Sequence, residues 1–256
     1  ALAIAGAAQA AKSGQRIVYS APMHSLLDEL QERFAAQGIE ARVYRGYTSA
    51  DPDAEDAAMC LDLPAMQDAR DAGGSIRAAV CERRVDGLQY LCPFHGQCGM
   101  QRQRQAKPQV WLIPHALLFQ SRPSFIPKPD ALVIDEGFTM GALPDKPARM
   151  SLDAIEQAPF EREDDGSVFS NAANDIQSAR GALLRALRAH DEDGPLSREI
   201  LLQRGVTKTV AANAYRLEWM RQREPGITPG MPPKARKAAA AAVAAHNKEM
   251  RLLAGL

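Results

Sequence analysis

The chain has 256 residues, 46% of them hydrophobic and only 5% aromatic, and its 31 basic and 31 acidic residues cancel to a formal net charge of zero. That length can bury a sizeable aliphatic core in one large or two smaller domains, and the neutral balance excludes a partner chosen by bulk charge alone. No apolar run approaches the roughly 20 residues that span a bilayer, so no membrane partner and a cytoplasmic location are expected. Ala1 to Ala11 is Ala-rich but has neither the charged start nor the cleavage site of a signal peptide. The chain does not begin with Met and opens inside a predicted helix, so it reads as a piece of a longer protein.

Ala1 to Ser13 has helix propensity throughout and stops at Ser13-Gly14. Arg16 to Ser20 reads as a short strand, and residues 23 to 37 as an amphipathic helix with Leu26, Leu27, Leu30 and Phe34 on one face and Gly38 closing it. Ile39 to Tyr44 is a second strand. Helix, strand, helix, strand is the order of a doubly wound α/β sheet.

From Gly46 to Pro108 the periodic apolar signal fades, over a stretch too long for a plain loop in a compact domain. Residues 48 to 71 carry seven acids against Arg70 alone, whereas 73 to 108 carry six Lys or Arg against Glu82 and Asp86. A short helix is expected over Pro64 to Ala72. Cys60, Cys81, Cys92 and Cys98 all fall in this segment, which suggests that a bound centre orders it. Four thiolates suit a structural zinc or an iron–sulfur cluster. The paired C-x₂₋₄-C knuckles usual for zinc are absent, although His95 could join Cys92 and Cys98 as a ligand. Four buried thiols with no metal are the bland alternative.

Val110 to Ile113 resumes the sheet, Pro114 to Phe119 makes a short helix, and Leu132-Val133-Ile134 runs into Asp135, Glu136 and Gly137. A short apolar run between Pro129 and Gly137 reads as a buried parallel strand. Carboxylates at the carboxyl end of such a strand sit where open α/β sheets bind ligands. Nucleotide hydrolysis wants this arrangement: one carboxylate for Mg²⁺ on the phosphates, a second for the attacking water. A strand that merely ends in solvated acids is the alternative. Residues 139 to 150 read as a linker, and helices are expected over 171–190, 197–204, 207–223 and 234–253. A second basic zone, Arg198 to Lys237, holds nine Lys or Arg against three acids.

The order of these segments carries a resemblance. Cys92-Pro93-Phe94, Cys98 followed by Arg102 and Arg104, Val110 to Leu118 with His115, and Val133-Ile134-Asp135-Glu136 are similar to the XPD/DinG-like superfamily 2 DNA helicases, and Ile17 to Pro22 resembles that family's motif Ia. The likeness covers roughly residues 1 to 140. The box reads Asp-Glu-Gly-Phe, Pro114 precedes His115, and no G-x-x-x-x-G-K-[ST] phosphate loop occurs. The resemblance implies a RecA-like core over 1–45 and 108–140, a Cys-rich cluster-binding insertion over 46–107, and a helical arch-like unit over 141–256.

It also implies an ATP-dependent DNA helicase using ATP, Mg²⁺ and a 4Fe-4S cluster, with zinc as the alternative centre. Asp135 would hold Mg²⁺ and Glu136 would activate water, while Cys60, Cys81, Cys92 and Cys98 would ligate the cluster. Single-stranded DNA or a DNA fork would be the partner, met by Ser20, Pro22 and His24 near the sugar-phosphate path and by Arg83, Arg84, Arg102 and Arg104 on phosphates. His115 reads as a packing residue at a strand end. The alternative function is a non-enzymatic, metal-stabilised nucleic-acid-binding module.

Overall fold

The computed structural model describes residues 2–137, 149–158, 168–190 and 194–255; most of the expected linker over 139–150 lies outside them. Two compact units form: residues 1–66 with 91–146, and residues 67–90 with 147–256. The Cys-rich segment is thus shared between the units.

The first unit is built on a four-stranded parallel sheet. Its strands β1 (Ile17–Ala21), β2 (Ala41–Val43), β5 (Val110–Pro114) and β6 (Ala131–Ile134) lie in the order β2-β5-β1-β6. Ile17 pairs with Val110 on one side and with Ala131 on the other, which makes β1 a central strand, buried along its whole length. The α/β reading is therefore correct, and the apolar runs of β1 and β5 follow from burial on both faces.

Alternation along each strand divides the core into two layers. Ile17, Tyr19, Val110 and Leu112 pack beneath α1 (Leu2–Lys12) and α2 (His24–Ala35), with Ile4, Leu27, Leu30 and Phe34 facing them. Val18, Trp111 and Ile113 face the other way, onto Leu117 and Ile126. At the amino ends of the strands, Arg16 clamps Asp130 through its backbone N–H at 2.9 Å and its guanidinium at 3.0 and 2.8 Å. This exposed pair holds the Asp130 carboxyl well below its ordinary range, chiefly through the guanidinium hydrogen bond.

Residues 45–66 and 92–106 form an irregular lobe on the same unit. Asp51 is buried and accepts an ion pair from Arg102 of α4 (Gly99–Gln105). A Cβ on Gly99 would lie 2.8 Å from the Asp51 carboxyl carbon and 3.0 Å from the Met59 sulfur, so only glycine fits that approach.

The second unit is mainly helical: α5 (Leu152–Gln157), α6 (Val168–Arg188), α7 (Arg198–Gln203), α8 (Lys208–Met220) and α9 (Pro233–Ala254). Ser151, Ser197 and Thr207 cap α5, α7 and α8, each side chain accepting a backbone N–H at 3.1 to 3.3 Å. Buried Glu218 is matched: its carboxylate accepts from Arg180 at 2.9 and 2.6 Å and from Arg221 at 2.6 Å. The end of α3 (Leu63–Asp71) belongs here too, through Asp68–Arg236 at 2.6 Å and Asn247 donating to the Ala72 carbonyl at 2.7 Å. A two-stranded ribbon, β3 (Glu82–Val85) and β4 (Leu88–Leu91), turns at Asp86-Gly87 with φ of 50° and 81°. Among the described residues, no helix is long and apolar enough to cross a membrane.

Candidate functional site

Neighbouring parallel strands whose connections leave to opposite faces open a crevice at their carboxyl ends. In this sheet β1 leads into α2 on one face, while β5 leads into residues 115–126 on the other. The crevice falls between β1 and β5, and the end of β6 stands beside β1 on its other edge. Three segments therefore meet there: Ser20-Ala21, Pro114-His115 and Asp135-Glu136.

A chain of hydrogen bonds joins them. Ser20, wholly buried, lies with its Oγ 2.8 Å from His115 Nδ1, and His115 Nε2 lies 2.8 Å from the Asp135 carbonyl oxygen. A carbonyl oxygen only accepts, so Nε2 carries the proton; in the neutral ring Nδ1 then accepts from the Ser20 hydroxyl. Asp135 closes the circuit by donating its backbone N–H to the Ser20 carbonyl at 2.9 Å. The Asp135 carboxylate is half-buried, and Tyr19 donates its hydroxyl to Oδ2 at 3.1 Å. Burial first, and the carboxylate partner second, push the Tyr19 hydroxyl up to about 12.

Glu136 differs from its neighbour. It is exposed, and its backbone has φ of +63°, a left-handed conformation that crowds the Cβ of any residue but glycine. Such conformations persist where function or surrounding structure requires them. The two carboxylates are thus unlike: Asp135 is held by Tyr19 with its backbone tied to β1, whereas Glu136 projects beyond the strand. Both are hard oxygen donors, the kind Mg²⁺ takes alongside phosphate oxygens. Comparison with protein-family models, curated proteins and solved structures finds no match.

The other expected residues fall as follows. Pro22 is exposed and His24 opens α2, with its Nδ1 buried and without a hydrogen-bond partner. Burial, and then the charge of Arg45, lower the His24 pKa, with Asp28 opposing. Arg102 is engaged internally, by Asp51 and by the Gln97 carbonyl at 2.7 Å, and Arg104 donates to the Tyr47 hydroxyl at 3.0 Å. Arg83 and Arg84 lie on β3 of the second unit; Arg83 donates to the Ile227 carbonyl at 2.8 Å, and Arg84 is exposed.

Cys60, Cys92 and Cys98 belong to the first unit and Cys81 to the second. Cys60 and Cys98 sit on neighbouring backbone: the Met59 carbonyl accepts both the Met100 N–H at 3.0 Å and the Cys98 thiol at 3.3 Å. Thiols suit soft metals, but among the described residues no group of three or more His, Cys, Asp or Glu stands together as a metal site.

Two residues of the site, Tyr19 and His115, were not expected in it. Tyr19 gives no local signal beyond a polar tip on a buried strand. His115 was read as packing, and although it is buried, both its ring nitrogens are engaged in joining strand ends.

Proposed function

We propose that this chain is the carboxylate-bearing, strand-handling part of an ATP-dependent DNA helicase with a RecA-like core and a helical arch-like unit, working in the cytoplasm. The observation that carries this reading is the pair Asp135 and Glu136 at the carboxyl end of a parallel strand, beside the sheet's crevice, with the first anchored and the second projecting. ATP would supply the γ-phosphoryl group, which passes to water with ADP as the leaving group, and Mg²⁺ would neutralise the phosphate charge. Asp135 would hold the metal ion, oriented by Tyr19, and Glu136 would take the proton of the attacking water. Ser20, expected beside the sugar-phosphate path, is instead wholly buried and bonded to His115, so it ties the strand ends together and does not itself reach a nucleic acid.

A cysteine-held iron–sulfur cluster, or zinc, is part of the same proposal. It rests on the thiols' concentration in one segment and on the adjacency of Cys60 and Cys98. Protein isolated without oxygen should carry iron and inorganic sulfide; one zinc per chain in a colourless protein would replace the cluster.

The catalytic reading is tested by nucleotide binding and steady-state hydrolysis. Asp135→Asn should weaken use of Mg²⁺–nucleotide, whereas Glu136→Gln should leave nucleotide binding nearly intact and stop turnover. Parent-rate hydrolysis by Glu136→Gln would remove this site from the chemistry and favour the second reading, a metal-stabilised nucleic-acid-binding module. That reading draws on the absence of a G-x-x-x-x-G-K-[ST] loop from these 256 residues.

A further inference from the structure

The outer face of α8 in the helical unit has a composition that neither its own core nor the carboxylate site explains. Residues 208, 212, 215 and 219 follow the i, i+4, i+7, i+11 spacing that forms one stripe along a helix. They are Lys208, Ala212, Tyr215 and Trp219, all exposed, with Arg216 and Met220 beside them. Tyr215 leaves 55% of its surface in water, Trp219 37% and Met220 54%. The core side of the same helix is formed by Leu217 and Glu218, both buried, whereas Tyr215 and Trp219 keep part of their rings in water.

The two rings pack edge to face, with centroids 6.1 Å apart and planes at 63°. That arrangement is favourable on its own; the rings are not stacked on one another, and part of each stays open to water. The exposed charges on α8 itself, Lys208 and Arg216, are both basic. The only acid on α8 is Glu218, which is buried and neutralised by Arg180 and Arg221. From the packed neighbour α6, Asp175 accepts from Asn213 at 3.5 Å. Asn213 also takes a hydrogen bond from Arg216, at 2.9 Å. Two exposed aromatic rings between Lys208 and Arg216 combine a stacking platform with backbone-neutralising cations, the two ingredients of sequence-tolerant single-strand binding.

We infer that the outer face of α8 is a contact surface for single-stranded nucleic acid, with bases stacking on Tyr215 and Trp219 and phosphates meeting Lys208 and Arg216. The inference rests on the DNA-handling reading above but uses a separate unit and separate residues. An anionic polymer with flat bases fits this face better than a protein partner, because the basic residues flank the rings without an acid of their own.

The molecule carries its own reporter. It has two tryptophans, and Trp111 is buried within the sheet core while Trp219 is exposed. Titrating the full chain with an oligothymidylate should quench Trp219 emission saturably, and the quench should vanish in Trp219→Phe while binding is retained. Tyr215→Ala with Trp219→Ala should weaken binding at least about tenfold, the loss expected when one stacked base is released. Lys208→Ala with Arg216→Ala should shallow the dependence of log affinity on log salt by about 1.4, at roughly 0.7 per phosphate on a single strand. All four positions are exposed, and an unchanged circular dichroism spectrum checks that each variant folds.

Unquenched Trp219 emission together with parent affinity in the aromatic double variant would overturn the inference while leaving the helicase reading intact. A parent protein that binds no oligothymidylate would overturn both. Self-association of the parent that Tyr215→Ala with Trp219→Ala abolishes would assign the face to a second copy of the chain and overturn the inference as well.

Discussion

Replacing His115 by alanine tests whether the ends of β1 and β6 are held by the imidazole. The ring makes two hydrogen bonds of 2.8 Å, to the Ser20 hydroxyl and the Asp135 carbonyl, in a position 7% exposed and beside a wholly buried serine. Deleting it removes both bonds and leaves two polar groups without these partners where water has little access. Each bond contributes roughly 0.5–1.5 kcal/mol net, and each stranded group costs about 1–3 kcal/mol. Relaxation recovers part of this, so the expected destabilisation is about 2–4 kcal/mol, a large share of the roughly 5–15 kcal/mol that folds a domain. With a urea slope of about 2 kcal/mol/M, the midpoint should fall by about 1–2 M. The two units need not unfold together, so the measurement belongs in a Trp219→Phe background, where Trp111 emission follows the sheet alone. Ser20→Ala should cost less than His115→Ala, and the double variant should cost less than the sum of the two. A midpoint that does not move, or strictly additive effects, would show that the imidazole only fills space.

Three further outcomes follow from the geometry. Because its folded-state pKa is raised to about 12, Tyr19 contributes stability that is complete below its ordinary value near 10. That contribution is lost as pH rises toward 12; phenolate absorbance should show Tyr19 titrating late, and Tyr19→Phe should blunt the alkaline loss of stability. At Glu136, whose φ is +63°, a Gly variant should be more stable than an Ala variant by about 1 kcal/mol in urea unfolding, and equal stabilities would mean the backbone there carries no strain. Glu218→Ala should destabilise the helical unit by about 3–5 kcal/mol, because it strips the carboxylate from two mostly buried guanidinium groups; a thermal melt within experimental error of the parent would refute that.

Much of the sheet is legible because its strands are short apolar runs bounded by Gly or Pro; burial on both faces holds for β1 and β5, whereas β6, expected to be buried, is an edge strand that leaves Leu132 48% exposed. The helices of the second half were readable for a similar reason, since their apolar spacing and their Ser or Thr caps are local. Strand order is different. Nothing within Val110 to Pro114 says that it inserts between β1 and β2, because the order is decided by how distant segments close over the core. The ribbon of β3 and β4 could have been read from Asp86-Gly87, a strong hairpin signal. The cysteines on either side of it point to a bound centre instead and obscure that signal. The contact of Ser20 with His115 spans 95 residues and has no sequence signature at all. Arg102 was credited to a phosphate because it lies in a basic run, whereas the acid that engages it, Asp51, lies 51 residues earlier.

The strand-end contacts also bear on which carboxylate does what. A group that must hold a metal ion gains from being fixed, because any freedom it keeps is lost again on binding. Asp135 meets that requirement three times over: its N–H is tied to Ser20, its carbonyl to His115 and its carboxylate to Tyr19. A group that must receive a proton from water needs exposure and reach instead, and Glu136, outside the strand ladder and turned by a left-handed residue, has both. On the proposed reading, the two carboxylates are therefore unequal in tethering before any nucleotide binds. Exchanging the two residues, with Asp135→Glu and Glu136→Asp together, conserves charge and composition but puts the longer side chain in the tethered position. If the proposed roles come from the scaffold, the exchange should abolish the nucleotide hydrolysis that reading expects. If any two adjacent acids suffice at this strand end, it should be tolerated.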